Sequence, residues 1–292
     1  MKNIANRKTY TLTLSDERSW RFSAAESLQG WLNSFAGILQ LESSSNQNAD
    51  TQIIFTKYKQ NETPPCENHK WELFKSGSIS RAWWHSDISE IFIEINHEFI
   101  EHQDIRVINM WNSLKPLFRY YTENDGGPVH AAFAGLNDNG FLIAAPGDTG
   151  KSTSLARLPG YYEKLSDDMA LIVKANGNYR AHPMPTWSDH LCRGLKSTFK
   201  VRQSLPLKAI FFLEQAEIDE VITIEPVKAS SEIFASFKQV WSPYWHRMND
   251  EARKQRQLQA FDNSVHLAKS IPCYKLRSTL HDRFWEKIEK TL

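Results

Sequence analysis

The stretch Phe141–Thr153, FLIAAPGDTGKST, constrains this chain more than any other. An apolar strand runs straight into a loop holding Gly147 and Gly150, and a helix begins at Lys151. Backbone N–H groups of such a loop point inward and form a nest for an anion. The helix start adds partial positive charge. Glycine is needed where the backbone must turn left-handed or approach a ligand closely. The spacing is that of a Walker A loop with Ala145 at the first glycine position, where the residue mainly ends the strand. A relaxed version of the pattern arises by chance in about one chain of this length in 50, given average residue usage.

Gly147, Asp148, Thr149, Gly150, Lys151, Ser152 and Thr153 are therefore the candidate nucleotide contacts. Lys151 can reach the β- and γ-phosphates, and the Ser152 hydroxyl can ligate Mg²⁺. A second feature follows the loop at Asp167-Asp168, just before the strand MALIVK. Paired carboxylates there can divide the work of phosphoryl transfer. One can hold Mg²⁺, directly or through water, and the other can take a hydroxyl proton. Read alone, the pair is more often a solvated turn, and its place beside the phosphate loop reverses that preference. The third is His130, 21 residues before Lys151 on the preceding strand. A hairpin would bring it to the loop end of the sheet, where it could donate to phosphate or tune a carboxylate.

The chain around these residues divides near residue 104. Residues 1–104 read as a small α+β region. Tyr10–Leu14 and Trp20–Phe22 form a strand pair, and Leu28, Trp31, Leu32, Phe35, Ile38 and Leu39 recur at helical spacing. Gln52–Tyr58, Trp71–Phe74, Ser80–His85 and Glu90–Ile95 are further strands. The tracts 42–50 and 60–69 read as polar loops. Residues 105–292 start with a helix over Ile105–Tyr121 that Pro116 kinks. A hairpin then turns at Asn137–Gly140, and a second turns at Ala175–Asn178. Ala209–Glu214 reads as a buried strand, and Ser230–Val240 and Asn249–Ala260 as helices. Phe284, Trp285 and Ile288 share one helical face near the end.

Composition narrows the function classes. Lys+Arg number 35 against 34 Asp+Glu, so no excess of charge points to nucleic acid or an anionic membrane. No run approaches the length of a membrane-spanning helix, and residues 1–10 lack an apolar signal core. The three cysteines, Cys66, Cys192 and Cys273, are scattered and form no disulfide framework or thiolate zinc pattern. A cytoplasmic protein is the expectation. His182, Asp189 and His190 fit no zinc spacing well.

The order of His130, the loop Gly147–Ser152 and Leu165-Ser166-Asp167-Asp168 resembles the HPr kinase/phosphorylase family, whose core is similar to that of phosphoenolpyruvate carboxykinase. Arg193-Gly194-Leu195 is similar to that family's Arg-Gly-Leu-Gly signature. The acidic Mg²⁺ ligand of that signature would fall at Leu191, which cannot ligate; Asp189 is the nearest substitute. The pieces AAPGDTGKST, KLSDDMALI, HPMPTWSDH and RFWEKIE resemble a divergent branch, the SynChlorMet cassette protein ScmC type.

The resemblance implies an α/β (α+β) fold, with a P-loop core on a mixed sheet preceded by a smaller α+β domain. It implies an ATP- and Mg²⁺-dependent kinase acting on a Ser or Thr hydroxyl of a peptide or protein, with a ribosomal precursor peptide as the expected substrate. Asp167 would be the general base, Asp168 its support or a metal ligand, and His130 a contact to phosphate or Asp167. Arg193 would stabilise the transferring phosphoryl group, and His182 and Trp187 would line the acceptor cleft. Residues 1–104 would recognise the substrate. A catalytically inactive nucleotide-binding protein, a small-molecule kinase and an ATPase stay open as alternatives, as does homo-oligomerisation.

Overall fold

A computed structural model describes residues 8–44, 48–58, 61, 63–65, 71–76, 79–85, 89–96, 98, 100, 102–192 and 197–292. The chain starts with a hairpin of β1 (Tyr10–Thr13) and β2 (Ser19–Ala24), followed by helix α1 (Gln29–Leu39). Strands β3 (Glu42–Ser43), β4 (Thr51–Lys57), β5 (Glu72–Ser76), β6 (Ser80–Trp84) and β7 (Glu90–Ile95) complete a sheet of order β3-β1-β2-β4-β7-β6-β5. Most of the expected loop at 60–69 lies outside the described residues. In β2 and β4 every second residue is buried. Phe22 and Phe55 meet Phe35 and Trp31 of α1 edge-on, with ring centroids 4.8–6.1 Å apart. Such aromatic contacts add to the area they bury.

The helix expected over Ile105–Tyr121 is two helices, α2 (Gln103–Ser113) and α3 (Lys115–Glu123), broken at Leu114. Pro116 stands in the first turn of α3, where its missing N–H has no helical partner to lose. After α3 come β8 (Gly127–Val129), β9 (Ala131–Leu136), β10 (Asn139–Ala144) and α4 (Lys151–Arg157). Strands β11 (Glu163–Ser166), β12 (Met169–Ala175) and β13 (Asn178–Met184) follow, and then α5 (Trp187–Cys192). The rest is β14 (Leu205–Gln215), β15 (Glu220–Thr223), α6 (Pro226–Trp245), α7 (Asp250–Ser270), β16 (Cys273–Ser278) and α8 (Trp285–Glu289).

The main strand order is β11-β9-β10-β14-β13-β12-β8, and β16 joins β14 and β15. Both anticipated hairpins form. Asn137 and Asp138 take left-handed φ angles of 49° and 62°, and Asn176 and Gly177 take 50° and 78°. Those angles match the twist of the flanking strands. The loop strand β10 lies antiparallel to β9 and parallel to β14, so the sheet is mixed.

Alternate residues of these strands face two different cores. Ala132, Phe141, Ile143, Phe211 and Leu213 pack with Leu155 and Leu158 around α4 and with Phe284 and Ile288 at the chain's end. The other face carries α6, whose Ser236 clamps the His130 backbone. Asn263 of α7 is fully buried and donates to the carbonyls of Thr122 and Gly126 at 2.6 and 3.0 Å. It fixes the turn that leads into β8.

The compact units are drawn differently from the division near residue 104. One holds residues 1–117 with 187–202, and the other 118–186 with 203–292. The segment 187–202, which opens with α5, thus groups with the earlier strands although it lies after the P-loop in sequence. Among the described residues no helix is long and apolar enough to cross a membrane.

Candidate active site

The loop between β10 and α4 begins where the sheet's apolar core ends. Ala145 is buried and Pro146, Gly147 and Asp148 are exposed. Gly150 sets the geometry at its far end with φ +108°, a value that L side chains rarely adopt. A Cβ on Gly147 or on Gly150 would meet no atom within 4 Å, so open space borders the loop at both. Gln215, at the end of β14, donates to the Thr149 carbonyl at 3.2 Å and ties the loop to the neighbouring parallel strand.

Lys151 is 6% exposed, and its Nζ donates to the carbonyls of Ala145 and Pro146, each at 3.0 Å. The side chain curls back across the start of its own loop. Burial holds the ammonium below its ordinary pKa, and Asp168, Asp148 and Asp167 oppose that shift. These three carboxylates are thus the charge partners of the loop lysine. Ser152 and Thr153 open α4 with exposed side chains.

Asp167 and Asp168 sit in the turn from β11 to β12, which Ser166 closes by donating to the Met169 carbonyl at 2.8 Å. The Thr186 hydroxyl donates to Asp167 Oδ1. Such a bond orients the carboxylate. His130 lies between β8 and β9. Its backbone N–H donates to the Ser236 carbonyl at 3.3 Å, and Ser236 Oγ donates back to the His130 carbonyl at 3.0 Å. Its Nδ1 is 3.6 Å from Asp168 Oδ1, beyond hydrogen-bond range, and its Nε2 is buried without a partner. Burial first, and the Lys151 charge second, push its pKa down to about 4. The ring is neutral at pH 7 and has one N–H to offer.

The structure therefore brings Lys151, Asp148, Asp167, Asp168 and His130 into one electrostatic cluster at the loop. Arg193 lies outside the described residues. Leu191 is half-buried in α5. His182 is fully buried within β13, opposite Leu171, and Trp187 is 2% exposed. Neither presents a surface to an acceptor, so the cleft-lining role expected of them gives way to packing. No group of three or more His, Cys, Asp or Glu among the described residues could hold a metal ion.

Sequence reasoning passed over Thr186, Ser236 and Gln215. Thr186 carried a weak signal inside MPTW, a polar residue at a strand end. Ser236 and Gln215 carried none, because their partners stand 106 and 66 residues away.

The family model described as SynChlorMet cassette protein ScmC matches residues 92–292, more than half of the chain. The chain belongs to the ScmC family. The match takes in the phosphate loop, His130 and the Asp167-Asp168 pair. No curated protein matches the sequence. Among solved structures, the Hpr(Ser) kinase/phosphatase from Coxiella burnetii is similar at 17% identity, with a TM-score of 0.24. That overlap covers 33% of this chain and 70% of that chain, and at such a score it decides neither fold nor activity.

Proposed function

We propose that this ScmC-family protein is an ATP-dependent kinase that phosphorylates a Ser or Thr hydroxyl of a peptide or protein, in the simplest case a ribosomal precursor peptide. One observation carries the reading: the loop lysine has Asp148, Asp167 and Asp168 as charge partners, and His130 feels the same lysine. A carboxylate pair and a neutral histidine beside a phosphate loop are groups that phosphoryl transfer can use.

The donor set suits Mg²⁺. This ion takes one or two carboxylates with waters and substrate phosphates, rather than an all-protein cage. Ser152 Oγ and the Asp168 carboxylate, 37% exposed, would hold it. Bound there, the ion supplies charge neutralisation between the phosphates.

The chain's own residues account for the rest. Backbone N–H groups of 147–150 and the Lys151 ammonium bind and orient the phosphate chain. To reach it, Lys151 exchanges two loop carbonyls for phosphate oxygens. Thr186 occupies Oδ1 of Asp167 and leaves Oδ2 to take the acceptor hydroxyl proton. The acceptor oxygen forms a bond to the γ-phosphorus, the bond from that phosphorus to the β–γ bridging oxygen breaks, and ADP leaves. His130 Nε2–H donates to a phosphoryl oxygen. Catalysis is positioning and charge stabilisation.

For the acceptor, among the described residues the first unit's sheet ends in edge strands β3 and β5. A free edge takes an extended peptide by main-chain pairing. A second reading, a nucleotide-binding regulator without transfer, draws on apolar Leu191 where a further acidic ligand was expected. The deciding experiment is transfer from γ-labelled ATP with Mg²⁺ into a soluble extract of the source organism, with Lys151→Ala as control. Label in peptide or protein that the variant loses supports the kinase. Label in a small molecule or in free phosphate alone replaces it with the corresponding alternative, and ATP binding without any label favours the regulator.

A further inference from the structure

A cleft of about 550 Å³ opens on the α6 side of the phosphate loop. One wall is the loop itself, from Ala145 and Pro146 to Asp148 and Thr149. The floor is the ends of β10, β14 and β16, including Ala144, Phe212, Glu214 and Lys275. The opposite wall is a single stripe of α6, Glu232, Ala235, Ser236 and Gln239, at spacings that put all four on one helix face. Lys151, His130, Asp167 and Asp168 do not line it.

We infer that this cleft is the nucleoside subsite, which holds the base and ribose of ATP while the triphosphate runs to Lys151. The inference rests on the phosphate-loop reading above and adds the end of the ligand that this reading leaves unplaced. Size fits, since ligand pockets of drug-sized molecules run from about 300 to 1,000 Å³. Continuity fits, because the loop that would cradle the phosphates is also a wall of the cleft. Charge decides between the two ends of the nucleotide. Asp148, Glu214 and Glu232 line the cleft against Lys275, and Lys275 Nζ is already 3.0 Å from Glu214 Oε2. A phosphate placed there would face more negative charge than positive. An uncharged nucleoside would not, and a carboxylate is a natural acceptor for the hydroxyls of a ribose. Lys275 also holds the Glu214 carboxyl below its ordinary pKa, which keeps it an acceptor. Phe212, Ala144 and Pro146 offer apolar surface to the base, and the Gln239 amide a donor and an acceptor for its edge.

The test compares ATP with inorganic tripolyphosphate, which has the phosphate chain and no nucleoside. Both are titrated calorimetrically, with Mg²⁺, into the full chain. Ala235 and Gln239 are exposed on α6, so Ala235→Trp and Gln239→Trp should fold, as circular dichroism would verify. Either variant should weaken ATP at least tenfold and leave tripolyphosphate within twofold. Equal loss of both ligands would overturn the inference by showing that the cleft serves the phosphates. Unchanged ATP affinity in both variants would also overturn it, and a raised KM for the acceptor alone would reassign the cleft to the acceptor. Lys151→Ala should weaken both ligands. If it weakens neither, the phosphate-loop reading fails separately, whatever the tryptophan variants do.

Discussion

Two glycines of the loop make opposite demands, and replacing each by alanine separates them. Gly150 holds φ at +108°, so an alanine there must adopt a strained backbone although its methyl would touch nothing within 4 Å. Such strain costs about 1–3 kcal/mol, and the stiffer unfolded chain returns about 0.4–1. Gly150→Ala should therefore lose about 1–2 kcal/mol. Gly147 has neither the left-handed φ nor a neighbour within 4 Å of an added Cβ. Gly147→Ala should match the wild type in stability or exceed it by up to about 1 kcal/mol. Its methyl would still project into the open space along the loop, where the phosphates are to lie. Tripolyphosphate affinity should fall at least tenfold with no loss of stability. The assay is urea unfolding without nucleotide, followed by tryptophan fluorescence, beside calorimetric titration. The two units can unfold separately, and the shift belongs to the transition of the unit holding 118–186. A Gly150→Ala protein as stable as wild type would refute the strain argument. Full tripolyphosphate affinity in Gly147→Ala would refute the cradle.

Other changes probe the cluster and the core. Asp167→Asn should keep ATP binding and lose turnover; if Asp168→Asn alone is inactive, the base is Asp168. Thr186→Val removes the donor to Asp167 Oδ1 and should lower kcat about ten- to a hundredfold, the order of one hydrogen bond to a charged group, at unchanged KM for ATP, with Thr186→Ser restoring it. His130 titrates near 4 when folded and near 6.5 when unfolded, so its contribution to stability is complete above about pH 6.5 and is lost as pH falls toward 4. His130→Gln should flatten the stability profile across that window, and an NMR titration of the ring with its midpoint at 6 or above would contradict the burial argument. Phe211 is fully buried against Phe141 and Tyr274, with centroids 5.8 and 5.3 Å away. Phe211→Ala should cost about 3–5 kcal/mol in chemical unfolding.

Much of the local structure was legible without coordinates, for a physical reason. Turn chemistry at Asn137–Gly140 and Ala175–Asn178 selects left-handed backbone, and both hairpins form there. The strand, loop and helix around Lys151 follow from a continuous apolar run, glycine and a helix start within a dozen residues. Helix ends were less legible. The helix expected to stop at Val240 continues through Pro243 to Trp245, because Trp241, Tyr244 and Trp245 are buried and their packing outweighs one lost backbone bond. The strand Cys273–Ser278 was missed altogether. Only Tyr274 among its six residues carries strong strand character, and the strand's place beside β14 comes from pairing across about 60 residues.

The sequence by itself determined the elements that local chemistry dictates: the phosphate loop, its flanking strand and helix, the two tight hairpins and the apolar faces of the helices. Tertiary structure alone decided what meets them. It set Thr186 on Asp167, Ser236 on the backbone of His130, and Gln215 on the loop, and it turned one face of α6 toward the cleft. It also grouped residues 187–202 with the first unit. Periodicity tells which face of an element is buried, but not against what, because partners far apart in sequence are chosen by packing and by the satisfaction of buried polar groups.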